Sequence, residues 1–259
     1  MTRNLPTIFA GLCGLASLTL SAIPAFPQMQ EIKPKPPMYS YVANWQAPRA
    51  DWSDMEKETA QVNTVLQKAL DGGTLVGYGN DTYLVHTATG ATHDNWWSSM
   101  SMAGLIKVLE QARAAADPHS SPRNSAKHWD HIWVSRYYNW KSGAQKGAYT
   151  YAMDYKLKDG APDDALDNLS QHFIVPVLEK LLADGTLIEY EIDTMAVHTD
   201  TPGEFAVVVI LPTPEGLDTL RAAILAAGKD HPLAIQSFGS VTEDSGHRDE
   251  LAKTDATYK

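Results

Sequence analysis

Two histidines stand in matching surroundings in this sequence, and imidazole is the side chain best suited to acid, base or ligand roles near neutral pH. Asp81-Thr82, Val85-His86-Thr87 return 112 residues later as Asp193-Thr194, Val197-His198-Thr199. On an extended chain alternate residues share a face, so Tyr78, Thr82 and His86 point one way and Asp81 and Val85 the other. That makes His86 and His198 candidate acid/base groups. The simpler reading is that each histidine ends a strand and ties down the turn that follows. A second candidate set is the run His93-Asp94-Asn95-Trp96-Trp97. Small-molecule pockets join aromatic walls to a few polar groups, so His93, Asn95, Trp96 and Trp97 are candidate ligand-binding residues, with Trp45, Trp140 and Tyr78 on neighbouring strands. The competing reading is an edge strand that uses its indoles to cover a helix. A third set is His-x-Asp, present as His128-Trp129-Asp130 followed by His131, and again as His247-Arg248-Asp249. A histidine and an aspartate two apart share a strand face, and such N/O donors suit Zn, Fe or Mn. Two ligands do not make a site, so His128, Asp130 and His131 are weak metal candidates beside a purely structural reading.

Several catalytic patterns are absent. There is no His-Glu-x-x-His, no P-loop and no Gly-x-Ser-x-Gly, and Gly77-x-Gly79 has Thr82 where a dinucleotide loop needs glycine. The single cysteine, Cys13, lies in an N-terminal apolar run, which excludes a cysteine nucleophile from the expected mature chain. No cofactor is named by any of these patterns.

The elements that must position these residues come from a duplication. From Leu66 to Ala115 the chain matches Leu178 to Ala227 without a gap, with 17 identities in 50 positions, among them Gly73-Thr74-Leu75 and Gly104-Leu105. Each copy reads as strand, helix, strand, strand, helix, strand. In copy one these are strands at 38–45, 74–86, 93–101 and about 127–132, and helices at 51–71 and 102–116. Copy two reads as strands at 131–140, 186–198, 205–211 and 233–241, with helices at 163–184 and 215–227. An extra segment, 141–162, separates its opening strand from its first helix. Identical positions in the two copies are best read as structural, and positions where the copies differ as candidates for the site.

Composition bounds the rest. Arg3, the apolar run Ile8 to Leu20 and the small residues before Phe26 form a signal-peptide pattern over residues 1–25, too short to span a bilayer. A Pro-rich linker follows over 26–37, then repeat one at 38–130 and repeat two at 131–259. The chain is expected to be periplasmic or secreted, without a membrane attachment after cleavage. Its net charge of −10 argues against nucleic acid and anionic membranes as partners. A monomer or weak homo-oligomer that takes a small-molecule ligand fits best.

The β-α-β-β-α-β order is that of the ferredoxin-like unit. Two such units packed sheet to sheet in one chain resemble the dimeric α+β barrel superfamily, with the dimer fused. The fold class is therefore α+β, an intramolecular pseudo-dimeric barrel. The resemblance implies a cavity between the sheets and three kinds of function: a small-molecule binder, an oxidoreductase-like exported enzyme dependent on haem or metal, or a structural module with a filled core.

Overall fold

In a computed structural model that describes residues 32–198 and 202–259, eight antiparallel strands close into a barrel. The expected signal peptide and the first residues of the Pro-rich segment lie outside the described residues. The strands are β1 (Met38–Gln46), β2 (Gly77–Tyr83), β3 (His93–Ser99), β4 (Lys127–Trp140), β5 (Gly143–Lys156), β6 (Glu189–Met195), β7 (Glu204–Leu211) and β8 (Arg248–Tyr258). Around the barrel they run β1-β3-β2-β8-β5-β7-β6-β4, and β4 returns to β1. Closure gives each described strand a partner on both sides. Among the described residues no helix is long and apolar enough to cross a membrane.

Helices cover the outside. The links β1–β2 and β3–β4 carry α1 (Trp52–Asp71), α2 (Met102–Ala115) and the short α3 (Ser121–Ser125). The link β5–β6 carries α4 (Ala165–Leu169), a π-helical turn (Ser170–Ile174) and α5 (Val175–Asp184). The link β7–β8 carries α6 (Glu215–Asp230) and α7 (Pro232–Val241). Leu66, Leu70, Leu105 and Val108 of α1 and α2 bury against Tyr41, Tyr78 and Trp97. Leu178, Leu181 and Leu182 of α5 do the same against Tyr190, Phe205 and Val209. On the helix-covered strands the apolar face thus points outward, which leaves the inward face free to be polar, whereas β8 turns Lys253 and Asp255 outward.

The repeated identities have local causes. Gly73 and Gly185 sit at φ 74° and 89° at the ends of α1 and α5, a left-handed conformation that favours glycine. Gly104 and Gly216 open the second helix of each half close against a strand end, where a Cβ on Gly216 would meet Leu211 Cδ2 at 2.8 Å. Tyr78 reaches Gln67 of α1 at 2.7 Å and Tyr190 reaches Glu179 of α5 at 2.6 Å, again 112 residues apart. These tyrosines pin sheet to helix.

Three strand expectations change. The strands expected near 127–132 and at 131–140 are one strand, β4, whose first part pairs with β1 and second part with β6 across a bulge between Ser135 and Tyr137. The segment 141–162 supplies β5, where aromatic residues facing out (Tyr149, Tyr151, Tyr155) alternate with small ones facing in (Ala148, Ala152). The closing strand expected at 233–241 is α7, which starts on Pro232 at its first turn. The closing strand is β8, which carries no apolar row because Arg248 and Glu250 face in and Lys253 and Asp255 face out.

Candidate barrel-interior site

Inward residues enclose a cavity of about 640 Å³ within the barrel. One end opens at the β2–β3 turn, where Val85, Thr87 and Gly90 form part of the rim. The other end is closed by Tyr258, which packs with Ala148, Ile188 and Ile210 beside Trp96 and Trp140. Indoles of Trp96, Trp129 and Trp133 line the walls. The remaining lining is dominated by carboxyl groups. β2 and β3 contribute Asp81 and Asp94, and β6 contributes Glu189, Glu191 and Asp193. Asp154, Glu204 and Glu250 stand nearer the rim with Arg248 and His131.

The hydrogen bonds show how these acids are held. Asp81 accepts from Trp96 Nε1 at 3.1 Å and from Thr150 Oγ1 at 2.9 Å. The Tyr83 hydroxyl lies 2.9 Å from Asp94 Oδ2 and 3.0 Å from Glu250 Oε2. One hydroxyl proton serves two carboxyl oxygens there. Ser40 donates to Glu191 Oε2 at 3.3 Å and also meets Ser98 at 2.7 Å, while Tyr258 donates to Glu189 Oε2 at 3.2 Å. Asp94 Oδ1 and Asp193 Oδ1 are buried with no hydrogen-bond partner. Asn44 Nδ2 lies 3.4 Å from His131 Nδ1 at the rim.

Burial of charge in a low dielectric favours the protonated carboxyl. Burial pushes Asp94 well above the usual carboxylate range, and neighbouring Asp81 adds to it. Burial does the same to Glu189 and Asp193, each reinforced by Glu191 between them. Asp81 and Glu191 are also raised by burial, and the hydrogen bonds they accept restrain the rise. Asp154 is raised by burial against the pull of Arg248, whose Nε and Nη2 both lie 3.1 Å from Asp154 Oδ2. Burial thus favours the protonated form of these interior acids.

Strand alternation separates the candidate residues that the sequence groups together. Trp96 faces the cavity. His93, Asn95, Trp97, Trp45 and Tyr78 lie on the opposite, helix-covered face. Trp97 is buried in the core under α1 and α2, its ring tilted against Tyr41 with centroids 4.4 Å apart. Asn95, Trp45 and Trp97 share a smaller space of about 270 Å³ with His128 and Asp130, between the sheet and those helices. His93 is held down to about 4 by burial, with His86 nearby adding to the effect. Trp52 packs edge-on against His93 and also contacts His86. His86 and His198 are both exposed, beyond the ends of β2 and β6, and neither lines the cavity. Trp140 sits at the closed end and donates to the Lys259 carbonyl at 3.2 Å.

The three metal candidates do not converge. His128 and Asp130 point outward while His131 points into the barrel, because they differ by an odd number of positions on one strand. Among the described residues no cluster of three histidine or acidic donors is suited to a metal. The two His-x-Asp pairs instead occupy corresponding places on β4 and β8. His128 Nδ1 meets the Asn44 carbonyl at 2.9 Å and His247 Nδ1 meets the Asp154 carbonyl at 3.1 Å. His128 stacks on Trp45 at 3.8 Å and His247 on Tyr155 at 4.4 Å. Each Nε2 faces its aspartate, at 2.8 Å for Asp130 and 3.4 Å for Asp249. Burial pushes Asp130 up, but hydrogen bonds from His128 and Tyr41 outweigh it and the carboxyl lies below its usual value. The pairs clamp β4 to β1 and β8 to β5.

The interior acids were missed, although two signals carried them. Glu189-Tyr190-Glu191-Ile192-Asp193 alternates acid with apolar residue at period two. Asp81 and Asp193 are the repeated aspartates, and both copies turn them inward. Of the positions where the copies differ, His93 and Trp97 lie on the outer face and only Trp96 faces in.

No family model matches the chain, and no curated protein matches it in sequence. Solved structures share its fold. A protein of Fusobacterium nucleatum assigned as a monooxygenase superposes with a TM-score of 0.55 at 6% identity, over 87% of this chain and 95% of that one. An anthrone oxidase-like protein gives 0.51 at 10% identity, over 86% and 94%. A protein assigned as a chlorite dismutase gives 0.51 at 11% identity, over 84% and 94%. At such identities the likeness is one of fold, and it agrees with the α+β barrel class read from the duplication.

Proposed function

We propose that this chain is an exported small-molecule-binding protein whose ligand lies inside the barrel. The observation that carries this reading is the interior cavity of about 640 Å³, which joins indole walls to buried polar groups. That volume lies in the range of small-molecule sites. A filled structural module would not leave acids such as Asp94 and Asp193 with unpartnered oxygens around an open space. Export is supported by the N-terminal sequence pattern, and the mature N-terminus measured by mass spectrometry on protein from its native host tests it.

The barrel is best understood as two fused β-α-β-β-α-β units. The orders β4-β1-β3-β2 and β8-β5-β7-β6 correspond strand for strand, which supports a junction at the β4–β5 turn near Lys141 rather than at 130/131. The similar structures assigned as a monooxygenase and a chlorite dismutase, and the oxidase-like protein, support an enzyme as a second reading. Haem, which the superfamily resemblance brings into consideration, does not fit the residues present. Its propionates would meet the acidic interior, where Asp81, Asp94, Glu189, Glu191 and Asp193 line one space.

A fragment library spanning positive, neutral and negative compounds tests the binding reading by thermal shift and by quenching of tryptophan fluorescence. Hits should be lost in Ala152→Trp, which places an indole in the cavity. A complete absence of hits of any charge would refute the reading.

A further inference from the structure

The charge lining the cavity selects among ligands. We propose that the ligand is an organic ammonium compound, its cationic group seated among the carboxyls of β2, β3 and β6 and its carbon frame against the indoles. This rests on the reading of the barrel interior as a ligand site and names its chemistry. Five acids, Asp81, Asp94, Glu189, Glu191 and Asp193, line one space. Among the described residues, no lysine or arginine forms an ion pair with any of them. Asp94 and Asp193 are only 7% and 4% exposed, and no N–H or hydroxyl of the protein donates to Asp94 Oδ1 or Asp193 Oδ1, whose acids have the carboxyls of Asp81 and Glu191 as neighbours. Buried acceptors of this kind are costly unless something donates to them. An ammonium group supplies three donors and a positive charge at once.

The other facing groups leave that position open. From β8, Arg248 is engaged by Asp154 of β5 and Glu204 of β7, and Glu250 is engaged by Tyr83 of β2. His131 faces in from β4 beside Asn44, and Tyr258 from β8 already donates to Glu189. Trp96, Trp129 and Trp133 offer ring faces of the kind that attract cations. A bare metal ion is the poorer candidate. It would leave most of the space unfilled, and among the described residues no three donors are arranged to hold one.

Binding carries a proton balance. An ammonium ion enters with its charge, a carboxylic acid of the cluster gives its proton to solvent, and an ammonium–carboxylate pair remains. No bond to carbon changes and no electron moves. One proton released per ligand makes the affinity rise about tenfold per pH unit wherever the cluster still holds that proton.

Calorimetric titration of the full mature chain at pH 6, 7 and 8 in phosphate, and at pH 7 also in MOPS, whose ionisation heat differs, tests the proposal. The probes are 1,5-diaminopentane, 2-phenylethylamine, the neutral 2-phenylethanol, 3-phenylpropionate and manganese chloride. The expected result is that an amine binds, that its heat depends on the buffer because a proton is released, and that 2-phenylethanol and 3-phenylpropionate bind at least tenfold more weakly. Asp193→Asn and Asp94→Asn should each weaken the amine at least tenfold while remaining folded by circular dichroism. Equal binding of the alcohol or the carboxylate, binding of manganese alone, or amine binding without proton release would overturn it. If neutral or anionic library fragments bind inside the barrel and both amines fail, the ammonium assignment falls while the site stands. If nothing of any charge binds, both fall.

Discussion

Replacing Asp193 by asparagine should change how the stability of this protein depends on pH. Asp193 is 4% exposed, one of its oxygens has no partner, and burial with neighbouring Glu191 holds its carboxyl well above the usual value. In the unfolded chain the same carboxyl titrates near 3.9, as an ordinary aspartate does. Between the unfolded and folded values the native state therefore binds more protons than the unfolded state. Stability contributed by the protonated group is complete below the unfolded value and is lost as pH rises towards the folded one. Each such proton tilts the unfolding free energy by about 1.4 kcal/mol per pH unit. Asparagine keeps the shape and cannot ionise. From pH 5 to pH 7, Asp193→Asn should therefore gain on the parent chain by up to about 3 kcal/mol, less whatever Glu191 takes over. Guanidinium unfolding at pH 5, 6 and 7 and constant ionic strength measures this. His93 works in the opposite sense: burial holds it to about 4, so its contribution is lost as pH falls below the ordinary histidine value. That contribution is common to both proteins and cancels in their difference. Parallel pH profiles for the two proteins would refute the reasoning.

Trp97→Ala should cost about 3–5 kcal/mol, because the indole is buried among leucines and tyrosine on the helix-covered face; urea denaturation checks this, and binding inside the barrel should survive in the folded fraction. His128→Ala and His247→Ala should each lower stability by about 1 kcal/mol through the lost bond to the facing strand, without any change in metal content by elemental analysis. Residues 32–141 expressed alone should not persist as a monomer, since β2 and the second part of β4 would lose their partners β8 and β6. A single monomeric species with a cooperative transition in analytical ultracentrifugation and melting would count against it.

The sequence alone determined the duplication, the four long helices that flank the repeated strands and most of the strands. Gly73 and Gly185 mark the ends of matching helices, and the apolar spacing of Leu66, Leu70, Leu105 and Val108 reports burial against a sheet whatever that sheet's final shape. These are local or periodic signals, and they survive without knowledge of partners. β8 and β5 were missed because their inward faces carry charge or small residues instead of the apolar rows by which strands are usually recognised. Which face of a strand holds the site was decided only by closure of the barrel. Alternation shows that Asp81 and Tyr78, or Trp96 and Trp97, point apart, but it cannot say which of each pair meets a helix and which meets the cavity. The helices packed on the outside, taking Tyr78 and Trp97 into the core, and closure gathered the acids of three strands around one space. The burial that raises their affinity for protons belongs to that enclosure and to no single segment of the chain.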